Sequence, residues 1–189
     1  MPPPPPKKLQ ETLQRAAGGD ERAWREIVEA YHSRVFGLIR AHSGSVDLAE
    51  EVTQSAFCAI AQHIGHYTEL GRFESWLFRI AMNRLRDEMR RRRRQANPVD
   101  PQDLAGLRDT PATGESLEEA AEDIRALESA LARLSEADRQ VIHLRHFAGL
   151  SFDGLAQVLG EPLGTVLARH HRALKKLRHF LSGEEGPRQ

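Results

Sequence analysis

Two groups of residues in this 189-residue chain have types and spacings suited to holding a polyanion. The first lies near the C-terminal end. A helix opening on Ser151 carries Leu155, Val158 and Leu159 on one face, Gly160 ends it, and Pro162 suits the first turn of a second helix. That second helix carries Arg169, Arg172, Lys175, Lys176 and Arg178. The pair has the proportions of a helix-turn-helix, whose second helix enters the DNA major groove. Backbone amides near Gly164 and Thr165, at the helix start, are expected to be free to meet a phosphate. The second group lies in residues 72–94, which hold nine basic and three acidic side chains. There Asn83, Asp87 and Arg90 recur at spacings of four and three, on one helical face. Asn offers a donor and an acceptor to a base edge, and Arg holds phosphate or guanine. Asp87 would repel DNA unless it orients Arg90 or Arg91. Arg92, Arg93 and Arg94 suit phosphate contacts of lower specificity.

The elements that must position these groups read as helices throughout. Leu9, Leu13 and Ala16 start one that Gly18-Gly19 ends, and Asp20 caps the next, with Ala23, Trp24, Ile27, Val28, Tyr31, Val35, Leu38 and Ile39 at helical spacing. Ser43-Gly44-Ser45 breaks the pattern, and Asp47 with Glu50 reads as a capping box for a third helix. Leu48, Val52, Ala56, Phe57 and Ile60 form its apolar stripe, with Glu50, Glu51, Gln54 and Ser55 largely off it. Residues 64–72 read as a loop. A long helix follows from Phe73 to Arg94, with Trp76, Leu77, Ile80, Ala81, Leu85 and Met89 inward and Arg79, Asn83, Arg84, Asp87, Arg90 and Arg91 outward. Pro98 and Pro101 end it. Residues 95–123 are acidic without sustained periodicity and read as a linker, with helix resuming near Ile124 and Ser135 capping the next helix. About 29 residues reach roughly 100 Å extended, against ~34 Å for one turn of B-DNA.

The expected fold class is therefore all-α: two small helical domains, at 9–94 and 124–181, joined by a flexible acidic linker. A proline-rich head, 1–8, and a tail, 182–189, lie outside them. The formal net charge of zero conceals this layout, because basic segments 72–94 and 139–181 flank an acidic 95–138. Two basic faces suggest two contacts with a polyanion. No apolar run approaches the ~20 residues of a membrane span, and the head has no secretory h-region. Cys58 is the only cysteine, so no internal disulfide forms, which fits a reducing cytoplasm.

Two regions in this order resemble the bacterial RNA polymerase sigma factors of the extracytoplasmic-function (ECF) class of the sigma-70 family. The matching residues are DLAEEVTQSAF at 47–57 and FESWLFRIAMNRLRDEMRRRRR at 73–94. In the second half they are Leu134-Ser135, Arg139 to Ile142, Gly149 to Phe152, and Gly160, Pro162, Gly164, Thr165 and Val166. The resemblance implies a transcription initiation factor that binds core RNA polymerase, directs it to promoter DNA and helps melt the −10 region. A sigma region 2 bundle would bind polymerase and the −10 element, and a region 4 helix-turn-helix the −35 element.

The resemblance also assigns residues. The 47–60 helix matches the main polymerase-binding helix, with Asp47, Glu50, Glu51, Gln54 and Ser55 on its polar face. Asn83, Asp87, Arg90 and Arg91 match the pattern of the −10-reading helix, to which Arg79 is added. The loop 64–72 matches the place where an unstacked promoter base is captured, and Tyr67 or Phe73 would stack on it. Trp76 is expected in the core. Gly164, Thr165, Arg169, Arg172 and Lys176 are the −35 candidates. Leu167 and Ala168 stand where the family often has Lys-Ser, and His170 where it usually has Leu, on the inward stripe with Val166, Ala173 and Leu177. These departures bear on the −35 preference. An anti-sigma factor is a further partner that the resemblance allows.

No P-loop, His-Glu-x-x-His or Gly-x-Ser-x-Gly pattern is present, so no catalytic residue, cofactor or small-molecule substrate is expected. His63 and His66 lack partners at ligand spacing and are read as surface residues, not metal ligands. The alternative is a stand-alone helix-turn-helix regulator. It would want a dimer seam or sensor pocket, and the first half shows neither a heptad nor a ligand motif.

Overall fold

The computed structural model describes residues 5–95 and 115–182, apart from the side chains of Pro6 and residues 115–121. In chain order the helices are α1 (Pro6–Ala17), α2 (Glu21–Ser43), α3 (Val46–His63), α4 (Phe73–Gln95), α5 (Glu115–Ala132), α6 (Glu136–His146), α7 (Phe152–Leu159) and α8 (Leu163–Leu181). A single 3-10 turn, Ile64–His66, continues α3 into the loop before α4.

Local chemistry sets the boundaries. The α1 helix begins at Pro6, three residues before the expected start, because a proline at the first helical position loses no intrahelical bond. Asp20 caps α2, accepting from the amides of Arg22 and Ala23 at 2.8 and 3.2 Å. The cap of α3 is Ser45, which accepts from the Leu48 amide at 3.3 Å; Asp47 lies in the first turn instead of capping it. An acid there still suits the helix dipole. Gly44, at φ 68°, makes the left-handed turn that separates α2 from α3, a conformation that costs other residues energy. Ser135 and Ser151 cap α6 and α7 as expected. The α5 helix opens at Glu115, inside the stretch expected to be linker. Its Glu, Ala and Leu residues are strong helix formers whose acidic side chains blur the apolar periodicity. The rest of that stretch lies outside the described residues, as do residues 1–4 of the proline head and 183–189 of the tail, while residues 6–8 of the expected head belong to α1.

The two halves pack on each other. Ile27, Tyr31, Val35, Leu38, Val52, Ile60, Phe73, Leu77, Phe78 and Leu85 form one core with Val141, Leu144, Leu150, Leu155 and Val158 from the second half. Between them, Arg34 of α2 reaches the Ala148 carbonyl through Nε at 2.8 Å and grips Glu74 of α4 at 2.6 and 3.0 Å. A smaller core of Ala130, Leu134, Ile142, Ala173 and Leu177 ties α5 and α6 to α8. Among the described residues, no helix is long and apolar enough to cross a membrane.

Candidate nucleic-acid and polymerase interfaces

The α4 helix buries Phe73, Leu77, Phe78, Ala81, Met82 and Leu85, which turns Arg79, Asn83, Asp87 and Arg90 to solvent. These four form one outward strip, as their spacing requires. The carboxylate that organises the arginines is not Asp87. Glu88 accepts from Arg91 at 2.7 Å and from Arg92 at 2.9 Å, and these bonds pull its own pKa down to about 2. Arg91 and Arg92 also reach Glu51 of α3, at 3.3 and 2.8 Å. Their guanidinium groups are thus committed across the α3–α4 seam. Asn83 accepts from Arg86 at 2.7 Å.

A pocket of about 270 Å³ opens where this strip meets the loop before α4, lined by Tyr67, Thr68, Leu70, Arg72, Trp76 and Arg79 among others. Tyr67 and Trp76 lie ring to ring at 4.7 Å and form its aromatic wall. Trp76, expected in the core, is half-buried and faces this pocket. Phe73, expected as a stacking candidate, is only 1% exposed. As the first residue of α4 it points inward, edge-on to Tyr31 at 5.5 Å, so it supports Tyr67 from behind and cannot meet a base. Gln157 of α7 also lines the pocket, which brings the second half against the mouth.

The polar residues of α3 divide between two sides. Glu51 and Ser55 look toward α4, beside Arg84, Asp87 and Arg91. Glu50 and Gln54 border an apolar groove with α2, about 540 Å³, floored by Trp24, Val28, Phe36 and Phe57. His32 stacks on both Phe36 and Phe57, with ring centroids 6.2 Å apart in each case. Asp47 is exposed at the head of the helix. Trp24, Val28, His32 and Phe36 were not anticipated as site residues, although their unbroken four-residue spacing is visible in the sequence.

In α8, Val166, Ala173 and Leu177 face inward, and the opposite side presents Gly164, Ala168, His171 and Lys175, with Arg172 beside them. Two expected DNA contacts lie on the flank and are already paired. Arg169 bridges Glu161 at 2.7 Å, and Lys176 bridges Asp138 at 2.6 Å. Burial would raise the Asp138 pKa, but the bonds from Lys176 and Ser135 outweigh it and hold the group below its ordinary value. The Thr165 amide is not free either, since it donates to the Pro162 carbonyl at 3.0 Å in the tight first turn. His170 is half-buried, with its ring edge-on to Phe152 at 5.1 Å and its Nε2 3.4 Å from that of His146. His171 and Lys175 are not among the expected −35 candidates, although the inward positions of Val166, Ala173 and Leu177 place both on the outer side.

Comparison with known proteins shows the family. The family model for Sigma-70 region 2 matches residues 27–95, and that for Sigma-70 region 4 matches residues 130–179. The RNA polymerase sigma-H factor of Pseudomonas aeruginosa is 32% identical over 171 residues, covering 87% of this chain and 89% of that relative. The chain belongs to the ECF RNA polymerase sigma factors of the sigma-70 family. This sigma factor is also 34% identical over 172 residues to the ECF sigma factor SigE of Mycolicibacterium smegmatis, spanning 88% of its own length and 65% of that relative. Its fold is similar to that of CnrH, solved in complex with the cytosolic domain of CnrY. The TM-score is 0.70, identity 24%, and coverage 93% of this sigma factor and 98% of the other chain. It is likewise similar to RpoE of Bartonella quintana, solved with the anti-sigma factor NepR, with a TM-score of 0.66 at 24% identity.

Proposed function

We propose that this sigma factor divides promoter recognition between α4 and α8 and holds core RNA polymerase through α3. The observation that carries this reading is the solvent-facing strip Arg79, Asn83, Asp87 and Arg90, which runs out from a pocket walled by Tyr67 and Trp76. A strip of that chemistry follows a DNA strand, with arginines on phosphates and Asn83 on a base edge. The pocket offers a rotated −10 base an aromatic face in place of its lost stacking partners. Arg72 and Arg79 at the rim meet the flanking phosphates.

On α8, Arg172, His171 and Lys175 face the −35 element, while Arg169 and Lys176 act through the helix they brace. Core polymerase takes the α3 face, with Asp47, Glu50 and Gln54 as its polar contacts and the apolar groove beside them as its anchor. Glu51 and Ser55 serve the α3–α4 seam. The protein works in the cytoplasm and supplies no chemistry of its own; polymerase makes the bonds.

The test is run-off transcription with purified core polymerase on the promoter upstream of its own gene. Wild-type protein should support specific initiation. Asn83→Ala should retain core binding and lose most open complex. A protein that fails to bind core polymerase would end this reading.

A further inference from the structure

The outward surface of α8 carries an oddity for a helix that meets DNA. Leu167 is 42% exposed and Ala168 is exposed beside it, in the first two turns. No carboxylate occurs anywhere along α8, and Arg172, Lys175 and Arg178 follow on its exposed surface. Leu163, Leu174 and Leu181 are exposed on the same helix as well, and the cations interspersed among these leucines favour a polyanion as the partner of its first turns. The first turns of a helix-turn-helix recognition helix are those that reach base edges. On the major-groove edge of DNA, thymine alone presents a methyl group, at C5, where cytosine has only a hydrogen; the remaining base-edge groups are mostly hydrogen-bond donors and acceptors.

We propose that Leu167 and Ala168 recognise thymine methyl groups in the element read by α8. This rests on the reading of α8 as the −35 helix and adds to it a base preference. Leu167 offers a branched side chain to one side of the helix, and Ala168 offers a single methyl at the outermost line, where Gly164 one turn earlier lets the backbone approach. Neither side chain can satisfy a donor or acceptor on a base edge, so a G·C pair beneath them would lose its water without compensation. A thymine there gains apolar contact, worth about fourfold in affinity per methyl on the scale of one buried methylene group.

The test uses holoenzyme and a duplex that it selects from a pool randomised at the upstream element. That duplex is resynthesised with deoxyuridine for thymidine in the element, which removes only the methyl groups, and separately with the same change in the spacer. Uracil in the element should weaken binding by about fourfold for each methyl contacted, and uracil in the spacer by less than twofold. Leu167→Ser should weaken binding to the thymine duplex and lose most of the difference between thymine and uracil, while Ala168→Ser loses less. The inference is overturned if uracil in the element has no effect although scrambling the element does. It is equally overturned if both variants keep the full thymine preference, or if Leu167→Ser impairs core polymerase binding and leaves DNA discrimination intact. If scrambling the element is itself without effect, the reading of α8 as the −35 helix fails and the inference falls with it.

Discussion

The Nδ1 atoms of His42 on α2 and His143 on α6 lie 3.0 Å apart, joining the two halves of the chain across their shared core. At that distance one nitrogen must carry a proton and the other a lone pair. His42 Nδ1 also lies 3.1 Å from the Leu38 carbonyl, and Phe147 packs edge-on against the His143 ring. Burial pushes both pKa values down. For His143, the neighbouring His42 and Arg139 add to the effect and bring it to about 3; for His42, the Leu38 carbonyl and Glu136 oppose it, and Arg139 and Arg86 assist.

Packing of the two halves should therefore weaken in mild acid. The ordinary histidine value is 6.5, so between pH 6.5 and about 3 the separated state binds more protons than the packed one. The stability of the packed form is complete above pH 6.5 and falls as the pH drops below it, by up to about tenfold per unit for each histidine. Small-angle scattering should show the radius of gyration rising between pH 7.5 and 5.5. His143→Phe, which keeps the ring but not the titration, should remove most of that rise; an unchanged profile in this variant would assign the effect to other groups.

Arg34 is the second link. Its side chain is largely buried, bonds the Ala148 carbonyl and Glu74 together, and lies over the Phe78 ring at 5.2 Å. Truncation to Ala leaves a carboxylate and a carbonyl without their donor, at about 1.5–3 kcal/mol for bonds to a charged group. Arg34→Ala should raise amide exchange at Ala148 and Leu150 well before it affects exchange within α3. Equal loss of protection everywhere would mean that Arg34 supports the whole fold and not this junction.

These links explain what the sequence concealed. Helix positions were legible because Asp20, Ser135 and Ser151 are strong caps and the apolar residues of α2, α3 and α4 recur at helical spacing. The packing of the two halves was not, because Arg34 docks on a backbone carbonyl 114 residues away, and a carbonyl leaves no residue-type signal. An acidic stretch long enough to separate the halves is equally compatible with their contact. The outward strip of α4 was legible from the phase of one helix, Asn83 to Arg90. The charge partners were harder to read: Asp87 and Glu88 are adjacent, and it is Glu88, three and four residues before Arg91 and Arg92, that holds both. Similarly, Arg169 and Lys176 look like free cations until Glu161 and Asp138 are placed beside them.

Tyr67 and Phe73 should separate cleanly by mutation. Tyr67 is half-buried, its hydroxyl donates to Glu69 at 3.1 Å, and it lines the pocket beside Trp76. Tyr67→Ala should leave thermal stability within about 1 kcal/mol, in keeping with a residue only partly packed. It should also reduce open-complex formation severalfold, read by permanganate footprinting, because stacking on one base contributes roughly 1–3 kcal/mol. Phe73→Ala should cost about 3–5 kcal/mol of stability as a core deletion. If Tyr67→Ala melts promoters normally, the pocket does not receive a base.

The cations of α8 make the last distinction. Arg172 and Lys175 are exposed on the outer side of the helix, whereas Arg169 is occupied by Glu161 at 2.7 Å. A lysine or arginine that neutralises a phosphate releases counterions, so its loss lowers the slope of log K against log salt by about one. Arg172→Ala should show that decrease when holoenzyme binding is titrated from 50 to 200 mM salt. Arg169→Ala should show little change in slope and instead a lower melting temperature, since it leaves Glu161 unpaired beside the turn into α8. A guanidinium braced in this way aligns the helix without touching phosphate. The reverse pattern, a salt-slope change for Arg169 and none for Arg172, would mean that the Glu161 bridge breaks on DNA and that Arg169 is the one that reaches the duplex.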